Sequence, residues 1–136
     1  MLLAPRKRKY RKEQRGTIKG VATRGNKISF GTYALQSLES KWVSAQELEA
    51  CRTTIQKIAG KDAKLIIRVF PHKPITAKPL ETRMGTGKGE PEYYAAVIKE
   101  GNILFELDNV TQSVAKIAFY NAAMKLSVKT RMITRQ

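Results

Sequence analysis

A run of basic residues near the amino terminus limits what this chain can fold into more than any other feature. Between positions 6 and 15, seven residues are Lys or Arg and only Glu13 is acidic. No periodic apolar residues accompany them, so the segment cannot bury enough surface to fold alone. We predict a basic, extended tail over residues 1–16 that becomes ordered on a partner, followed by one folded domain over residues 17–136.

The net charge indicates the kind of partner. The chain has 26 Lys and Arg residues against 11 Asp and Glu, which gives a formal net charge of +15. Such an excess opposes a compact state by self-repulsion, and a polyanion would offset it. Nucleic acid is the commonest such partner, ahead of an anionic membrane. Composition alone does not distinguish RNA, DNA and lipid from one another, and it leaves open the alternative of a basic protein without a polyanionic partner.

Length, cysteine content and hydropathy narrow the class further. A chain of 136 residues has the size of one domain. Cys51 is the only cysteine, which excludes an intramolecular disulfide and a secreted disulfide scaffold. No run approaches the ~20 apolar residues that span a bilayer. The opening MLLAPRKRKYRK places apolar residues before the charges, the reverse of a signal peptide. We expect an intracellular, soluble protein.

Two strands and a helix are predicted in the first half of the domain. The segment TIKGVATRGNKISFGTYAL has β-branched and aromatic residues on both sides of residues 24–26, which predicts two strands joined by a tight turn. Ser44 and Glu47 form a capping-box pattern for a helix that ends at Gly60. Apolar residues then recur at helical spacing, and the cysteine among them is predicted to be buried. This stripe consists of Leu48, Cys51, Ile55 and Ile58.

The second half adds strands, a long loop and a second helix. KLIIRVF predicts a strand that ends at Pro71. Residues 71–91 contain four prolines and three glycines, which predicts a long loop. EYYAAVIK and ILFEL predict a hairpin around Gly101 and Asn102. A helix is predicted over about residues 112–125, and SVKTRMITR predicts a final strand. The predicted inward face of that helix consists of Val114, Ile117, Ala118, Asn121 and Met124.

The predicted fold class is therefore α+β. It consists of an antiparallel sheet with two helices packed on it, a basic extended N-terminal tail and a long Pro/Gly-rich functional loop. We find no internal repeats and no second domain.

The glycine cluster of residues 85–89 has the composition of a nucleotide-binding loop but not its spacing. A P-loop requires glycine where Thr82 stands and a hydroxyl residue where Gly89 stands, and Glu90 occupies the third glycine position of the dinucleotide fingerprint. Backbone without side chains, flanked by Arg83 and Lys88, instead suits close contact with a phosphate backbone or an RNA end. The alternative is an ordinary loop with solvated charges.

Catalytic and metal-binding patterns are weak. His72 is the only histidine, which disfavours a paired-histidine metal site, and we interpret it as an RNA or solvent contact. Glu90 and Glu92 are close in sequence, but an acid/base pair also requires a cleft. Aromatic residues that could stack on bases are Trp42, Tyr93 and Tyr94. We interpret Trp42 as packed core and expect one of the two tyrosines to face inward. We predict no enzyme activity, cofactor or metal.

Residues 68–94, RVFPHKPITAKPLETRMGTGKGEPEYY, carry a specific resemblance. They are similar to the bacterial-type family of large-subunit ribosomal protein sixteen, which is related to the archaeal and eukaryotic protein ten-e. The family pattern corresponds here to residues 68–71, 73–79 and 83–89. PRKRKYRKEQRG, ISFGTYAL and VKTRMITR also resemble the family, so the similarity covers essentially the whole chain. Gln14 and Thr17 depart from the histidine and arginine that are common in the family.

The resemblance implies a structural role in the large ribosomal subunit. It implies binding to large-subunit rRNA, contact with tRNA near the aminoacyl site and the peptidyl-transferase region, and support of late subunit assembly and translation. Implied partners are rRNA, tRNA and neighbouring ribosomal proteins, with no membrane and no self-oligomer. The implied location is a bacterial cytoplasmic ribosome or an organellar (chloroplast or mitochondrial) ribosome.

The candidate RNA-contacting residues fall into two groups. The rRNA-binding group consists of Arg6, Lys7, Arg8, Lys9, Tyr10, Arg11, Lys12, Arg15, Lys19 and Arg24. The group in the rRNA- and tRNA-contacting loop consists of His72, Lys73, Lys78, Arg83, Met84, Gly85, Gly87, Lys88 and Gly89. Two other functions stay open on the residues alone: a basic nuclear or organellar nucleic-acid binder, and an RNA-processing enzyme.

Overall fold

The computed structural model describes residues 25–76 and 91–135. The predicted tail, the strand predicted before residue 24 and most of the predicted loop lie outside the described residues. The elements, in chain order, are β1 Tyr33–Ser37, β2 Lys41–Ser44, α1 Ala45–Ala59, β3 Lys64–Ile67, β4 Lys73–Thr76, β5 Pro91–Ile98, β6 Ile103–Asp108, α2 Gln112–Ala123 and β7 Thr130–Thr134.

The described strands form two antiparallel sheets. One has the order β3-β6-β1-β7 and the other the order β2-β5-β4. The helices pack against each other, α1 contacts both sheets, and α2 contacts β1 and β7 of the four-stranded sheet. This arrangement confirms the predicted α+β class with two helices on antiparallel strands, although the predicted single sheet is divided in two.

The predicted hairpin between β5 and β6 is wrong. The chain does reverse at Gly101, whose φ is 96°, and the Asn102 N–H donates to the Lys99 carbonyl at 3.0 Å. However, β5 pairs with β2 and β4 on its two sides, and β6 pairs with β1 and β3. The Gly101 N–H donates to the Ser37 carbonyl of β1. The turn therefore carries the chain from one sheet to the other.

Helix α1 confirms its predicted cap and apolar stripe. The Glu47 N–H donates to Ser44 Oγ at 3.2 Å, and the Ser44 N–H donates to the Glu47 carboxylate at 2.9 Å. Leu48, Cys51 and Ile55 are fully buried, and Ile58 packs against the same core. The Cys51 thiol donates to the Ala122 carbonyl at 3.3 Å, which joins the two helices. Its burial raises the pKa of the thiol to about 12.

The predicted inward face of α2 is wrong except at Ala118. Ile117 and Met124 are 55% and 65% exposed. The buried residues are Ala115, Ala118, Phe119 and Ala122. Their spacing is also helical, and three of them are alanines, which let α2 approach α1 closely. The larger apolar residues predicted to be inside therefore remain on the outer surface.

The strands around the predicted loop also differ from expectation. Strand β3 ends at Ile67 and not at Pro71, and β4 is a strand inside the segment 71–91 that was predicted to be a loop. Pro74 lies in β4, an edge strand of its sheet, where a residue without an N–H is tolerated. The final strand, predicted from SVKTRMITR, is confirmed as β7.

Candidate nucleic-acid interface

A buried carboxylate on β6 binds three consecutive backbone amides. Glu106 is fully buried in β6, between the apolar residues Phe105 and Leu107. Its Oε1 accepts hydrogen bonds from the N–H groups of Phe30 at 2.8 Å and Gly31 at 2.7 Å, and the Ser29 N–H lies 3.2 Å from the same oxygen. A buried carboxylate is tolerated only when it is paired and hydrogen-bonded, and these amides supply part of that requirement.

Arg68 completes the pairing of Glu106. Its guanidinium forms an ion pair with the Glu106 carboxylate and donates to the Lys27 carbonyl at 3.1 Å. It also lies 5.6 Å from the centroid of the Phe30 ring, a cation–π arrangement. We call Glu106, Arg68 and residues 29–31 the Glu106 cluster. It joins three segments that are far apart in sequence.

The hydrogen bonds keep Glu106 ionised in the folded protein. Burial acts to raise the pKa of this carboxyl, but the hydrogen bonds from Gly31, Arg68, Phe30 and Ser29 together outweigh it, and the net pKa is lower than usual. These bonds also explain why β1 begins at Tyr33 although ISFG was predicted to be strand. The amides of residues 29–31 are directed to a carboxylate, so they do not enter a strand ladder.

Gly31 allows the chain to approach β6 closely enough for these bonds. A Cβ atom at this position would lie 2.7 Å from the Leu107 carbonyl oxygen and 3.1 Å from the Glu106 Cβ. Backbone carbonyls cannot move aside cheaply, so only glycine fits here without displacing β6. On the other side of the segment, the Arg135 N–H donates to the Thr32 carbonyl at 2.8 Å. Residues 29–32 are therefore held between β6 and the end of β7.

The predicted contact loop begins and ends on adjacent strands. Thr76 of β4 is opposite Pro91 of β5 in the sheet register. Residues 77–90 therefore connect neighbouring strand ends, and the sheet pairing of β4 and β5 closes the base of this connection. Arg68 of the Glu106 cluster lies five residues before β4, so the cluster and the base of the loop are close along the chain.

Aromatic and polar groups lie near the base of the loop. Lys73 is 9% exposed, and its ammonium lies 5.6 Å from the centroid of the Trp42 ring. Trp42 is only half-buried and lines an open pocket of about 500 Å³ together with Tyr93, Gln46 and Ser127. The interpretation of Trp42 as packed core is therefore wrong. Tyr93 and its neighbour Tyr94 are both half-buried. One of the two was predicted to face inward, but neither side chain is fully buried.

Only two of the candidate contact residues fall within the described part of the chain. His72 is exposed, with Nδ1 3.3 Å from the Phe70 carbonyl, whereas Lys73 is largely buried. All ten residues of the rRNA-binding group and the loop residues from Lys78 to Gly89 lie outside the described residues. Sequence analysis missed Glu106 and treated Arg68 only as part of a motif. The sequence feature that could have indicated Glu106 is that it is the single acid inside the apolar strand predicted from ILFEL.

Within residues 25–76 and 91–135, no three side chains of the kinds that bind metals form a cluster. In the same residues, no helix has both the length and the apolar character required to cross a membrane.

Comparison with known sequences places the chain among the ribosomal proteins. Residues 5–133 match the sequence model of the family described as "Ribosomal protein L16p/L10e". The chain belongs to this family, and it is accordingly a structural, non-enzymatic constituent of the large ribosomal subunit. The resemblance drawn from residues 68–94 is thereby confirmed.

Individual relatives are similar over almost their full length. The protein named "Large ribosomal subunit protein uL16c" from Porphyra purpurea is 52% identical over 134 residues, which is 98% of this chain and 96% of the relative. The protein of the same name from Guillardia theta is also 52% identical, over 98% of this chain and 100% of the relative. The one from Physcomitrium patens is 50% identical over 98% and 96%.

Proposed function

We propose that this protein binds large-subunit rRNA through its basic tail, residues 1–16, and through the loop of residues 77–90. In this proposal, the loop also contacts tRNA near the aminoacyl site and the peptidyl-transferase region, and binding supports late subunit assembly. Family membership and the net charge of +15 support rRNA as the partner. The designation uL16c, shared by the relatives, supports an organellar ribosome as the location.

The Glu106 cluster is the observation that carries the proposal. Residues 29–31, on the carboxyl-terminal side of the tail, are bound to Glu106, and so is Arg68, which precedes the strand that leads into the loop. One buried carboxylate therefore joins the beginning of the described domain to the segment that leads into the loop. In this proposal, the link lowers the cost of ordering the two basic segments on RNA, because nearby residues of the domain are already held in place.

The tail is tested by the salt dependence of rRNA binding. If tail and loop together neutralise roughly eight phosphates, the log–log slope of affinity against salt is about −6 to −7. Replacing Arg6, Lys7, Arg8 and Lys9 with alanine should make the slope less negative by several units. The control variant has the same change in charge at four exposed lysines of the domain, Lys57, Lys61, Lys64 and Lys129. Equal slopes for the two variants would contradict a specific role of the tail.

The loop is tested by replacing Arg83 and Lys88 with alanine. If the loop serves RNA binding and not packing, these two substitutions should act as surface changes, which usually alter stability by within about 0.5 kcal/mol, and the melting temperature of the free protein should hardly change. Reconstituted large subunits that carry the variant should bind tRNA more weakly or mature more slowly. A large loss of stability with normal tRNA binding and maturation would show that the loop is part of the scaffold.

Family membership decides against the two functions that stayed open on the residues alone, a nuclear or organellar nucleic-acid binder and an RNA-processing enzyme. Sedimentation tests the assembly of this chain directly, because a ribosomal protein migrates with large subunits in a sucrose gradient at near-stoichiometric amounts.

A further inference from the structure

An open apolar groove lies between α2 and the edge of the four-stranded sheet. Its volume is about 500 Å³, and its apolar lining consists of Leu35, Ile117, Phe119, Tyr120, Ala123 and Met132. Ile117 and Tyr120 are 55% and 65% exposed, the residues that the alanine-rich packing of α2 leaves on the outer surface. An exposed apolar surface beside polar residues commonly marks an interaction site.

The charge at the groove favours an anionic occupant. Lys116 and Arg131 are the charged residues among the described residues of the lining. Arg131 is opposite Gln36 in the sheet register, and its Nε donates to Gln36 Oε1 at 2.9 Å, so its guanidinium lies on the face of the sheet away from Leu35 and Met132. Lys116 on α2 is therefore the cation that faces the groove, and no acid lines the groove in the described residues. An occupant with both a flat apolar part and a negative charge matches this lining.

Thr130 provides a second, independent indication of a ligand. Its Oγ1 is buried and has no hydrogen-bond partner among the described residues, and Thr130 lines the groove. Buried hydroxyls are normally hydrogen-bonded, and an unsatisfied one is unfavourable. A hydroxyl can both donate and accept, so it can pair with any of the polar groups on the edge of a nucleobase.

We propose that this groove binds one unstacked nucleotide of RNA. The base lies against the Tyr120 ring and Ile117, a polar edge of the base pairs with Thr130 Oγ1, and a phosphate lies near Lys116. Stacking of unpaired bases on aromatic side chains is a common mode of RNA recognition. A peptide segment fits less well, because Lys116 would then require an acidic residue beside apolar ones. The inference rests on the proposed function, since the nucleotide would belong to rRNA.

Crosslinking within assembled subunits identifies the occupant. The full-length chain would carry a benzophenone amino acid at position 117, be incorporated into large subunits and be irradiated. We expect a crosslink to one unpaired rRNA nucleotide. The matched control places the same group at position 124, because Met124 is as exposed as Tyr120 but does not line this groove. Crosslinks from position 117 only to protein, no crosslink, or the same nucleotide from both positions would overturn the proposal.

Variants of the groove test the contacts. In Tyr120→Ala subunits, the chemical-probing reactivity of the crosslinked nucleotide should rise several-fold, whereas Tyr120→Phe should leave it at the wild-type level because the ring remains. Thr130→Val should raise that reactivity too, yet it should not lower the melting temperature of the free protein, because it removes an unpaired hydroxyl. Equal reactivity in wild type and both Tyr120→Ala and Thr130→Val would overturn the proposal.

Sedimentation and salt dependence, taken together with the crosslink, separate a failure of this inference from a failure of the proposed function. If the wild-type chain does not sediment with large subunits, the proposed function fails. If it does, and the tail variant alters the salt dependence as expected, but position 117 gives no RNA crosslink, only the groove assignment fails.

Discussion

Replacing Glu106 with glutamine should strongly destabilise this protein. The substitution retains the size of the side chain but replaces one carboxylate oxygen with an amide NH₂ group. That group would face N–H donors from residues 29–31 or the Arg68 guanidinium, all of which now bind the carboxylate. The loss of one member of a buried ion pair leaves the other charge uncompensated.

The size of the effect follows from the burial of the two partners. Breaking a buried pair costs about 3–5 kcal/mol. Glu106 is fully buried but the Arg68 side chain is 18% exposed, so water can solvate the released guanidinium in part, and we expect a cost at the lower end, about 3 kcal/mol. For a domain of this size, that corresponds to a fall in the melting temperature of about 10–15 °C.

Thermal unfolding of the full-length chain, followed by circular dichroism at pH 7, measures this cost. Glu49→Gln is the matched control, because it removes the same charge from a Glu–Arg pair that is partly exposed on α1. A surface pair of this kind is worth less than about 0.5 kcal/mol, so the control should lose about 2 °C or less. Equal losses in the two variants would refute the reasoning.

The difference in stability between wild type and Glu106→Gln should also depend on pH. The pKa of Glu106 is lower in the folded protein than its ordinary value, so the carboxylate stabilises the fold above the unfolded pKa of about 4.3. This stabilisation is lost as the pH falls through the folded pKa. The gap between wild type and Glu106→Gln should therefore be full at pH 7 and close in acid. A gap that does not change with pH would show that packing, and not charge, causes the loss.

Three further outcomes are expected. Gly31→Ala should cost several kcal/mol in urea unfolding because its Cβ would lie 2.7 Å from the Leu107 carbonyl oxygen. Gly60→Ala, with free space but a φ of 90° and a ψ of −180° that favour glycine, should cost less, about 1–3 kcal/mol; the reverse order would contradict the close approach. Cys51, whose thiol pKa is raised to about 12, should not react with a disulfide reagent at pH 8 until the protein unfolds, and rapid labelling of the native protein would show that it is accessible. Ser44→Ala should lower stability by about 1 kcal/mol through loss of the helix cap, and an unchanged urea midpoint would show that the cap contributes little.

Local signals were sufficient to predict α1 from the sequence. Its cap consists of two residues three positions apart, and its stop is a glycine at the end of one apolar stripe. Helix α2 has two apolar stripes, one of larger residues that includes Ile117 and one rich in alanine. Periodicity alone does not decide between them, because the choice depends on how closely α1 approaches. The turn at Gly101 was likewise predicted correctly, but strand pairing depends on segments distant in sequence.

The Glu106 cluster could not be derived from local patterns. Arg68 and Ser29 lie 38 and 77 positions from Glu106 in sequence, so no short window contains two of the three segments. An acid inside an apolar strand indicates that some partner must exist, because an unpaired buried charge is unfavourable. It does not indicate which of the 26 basic residues or which backbone amides provide it. Only the arrangement of the two sheets supplies that answer.

The long sequence separation within the Glu106 cluster also has a consequence for synthesis of the chain. Domains fold as they emerge, and contacts between distant segments form late because a long loop must close first. The Gly31 amide leaves the translating ribosome first, whereas the carboxylate that binds it is added 75 positions later. For that interval, residues 29–31 lack the partner that holds them in the folded domain. The packing of this segment against β6 therefore forms only after Glu106 has been made.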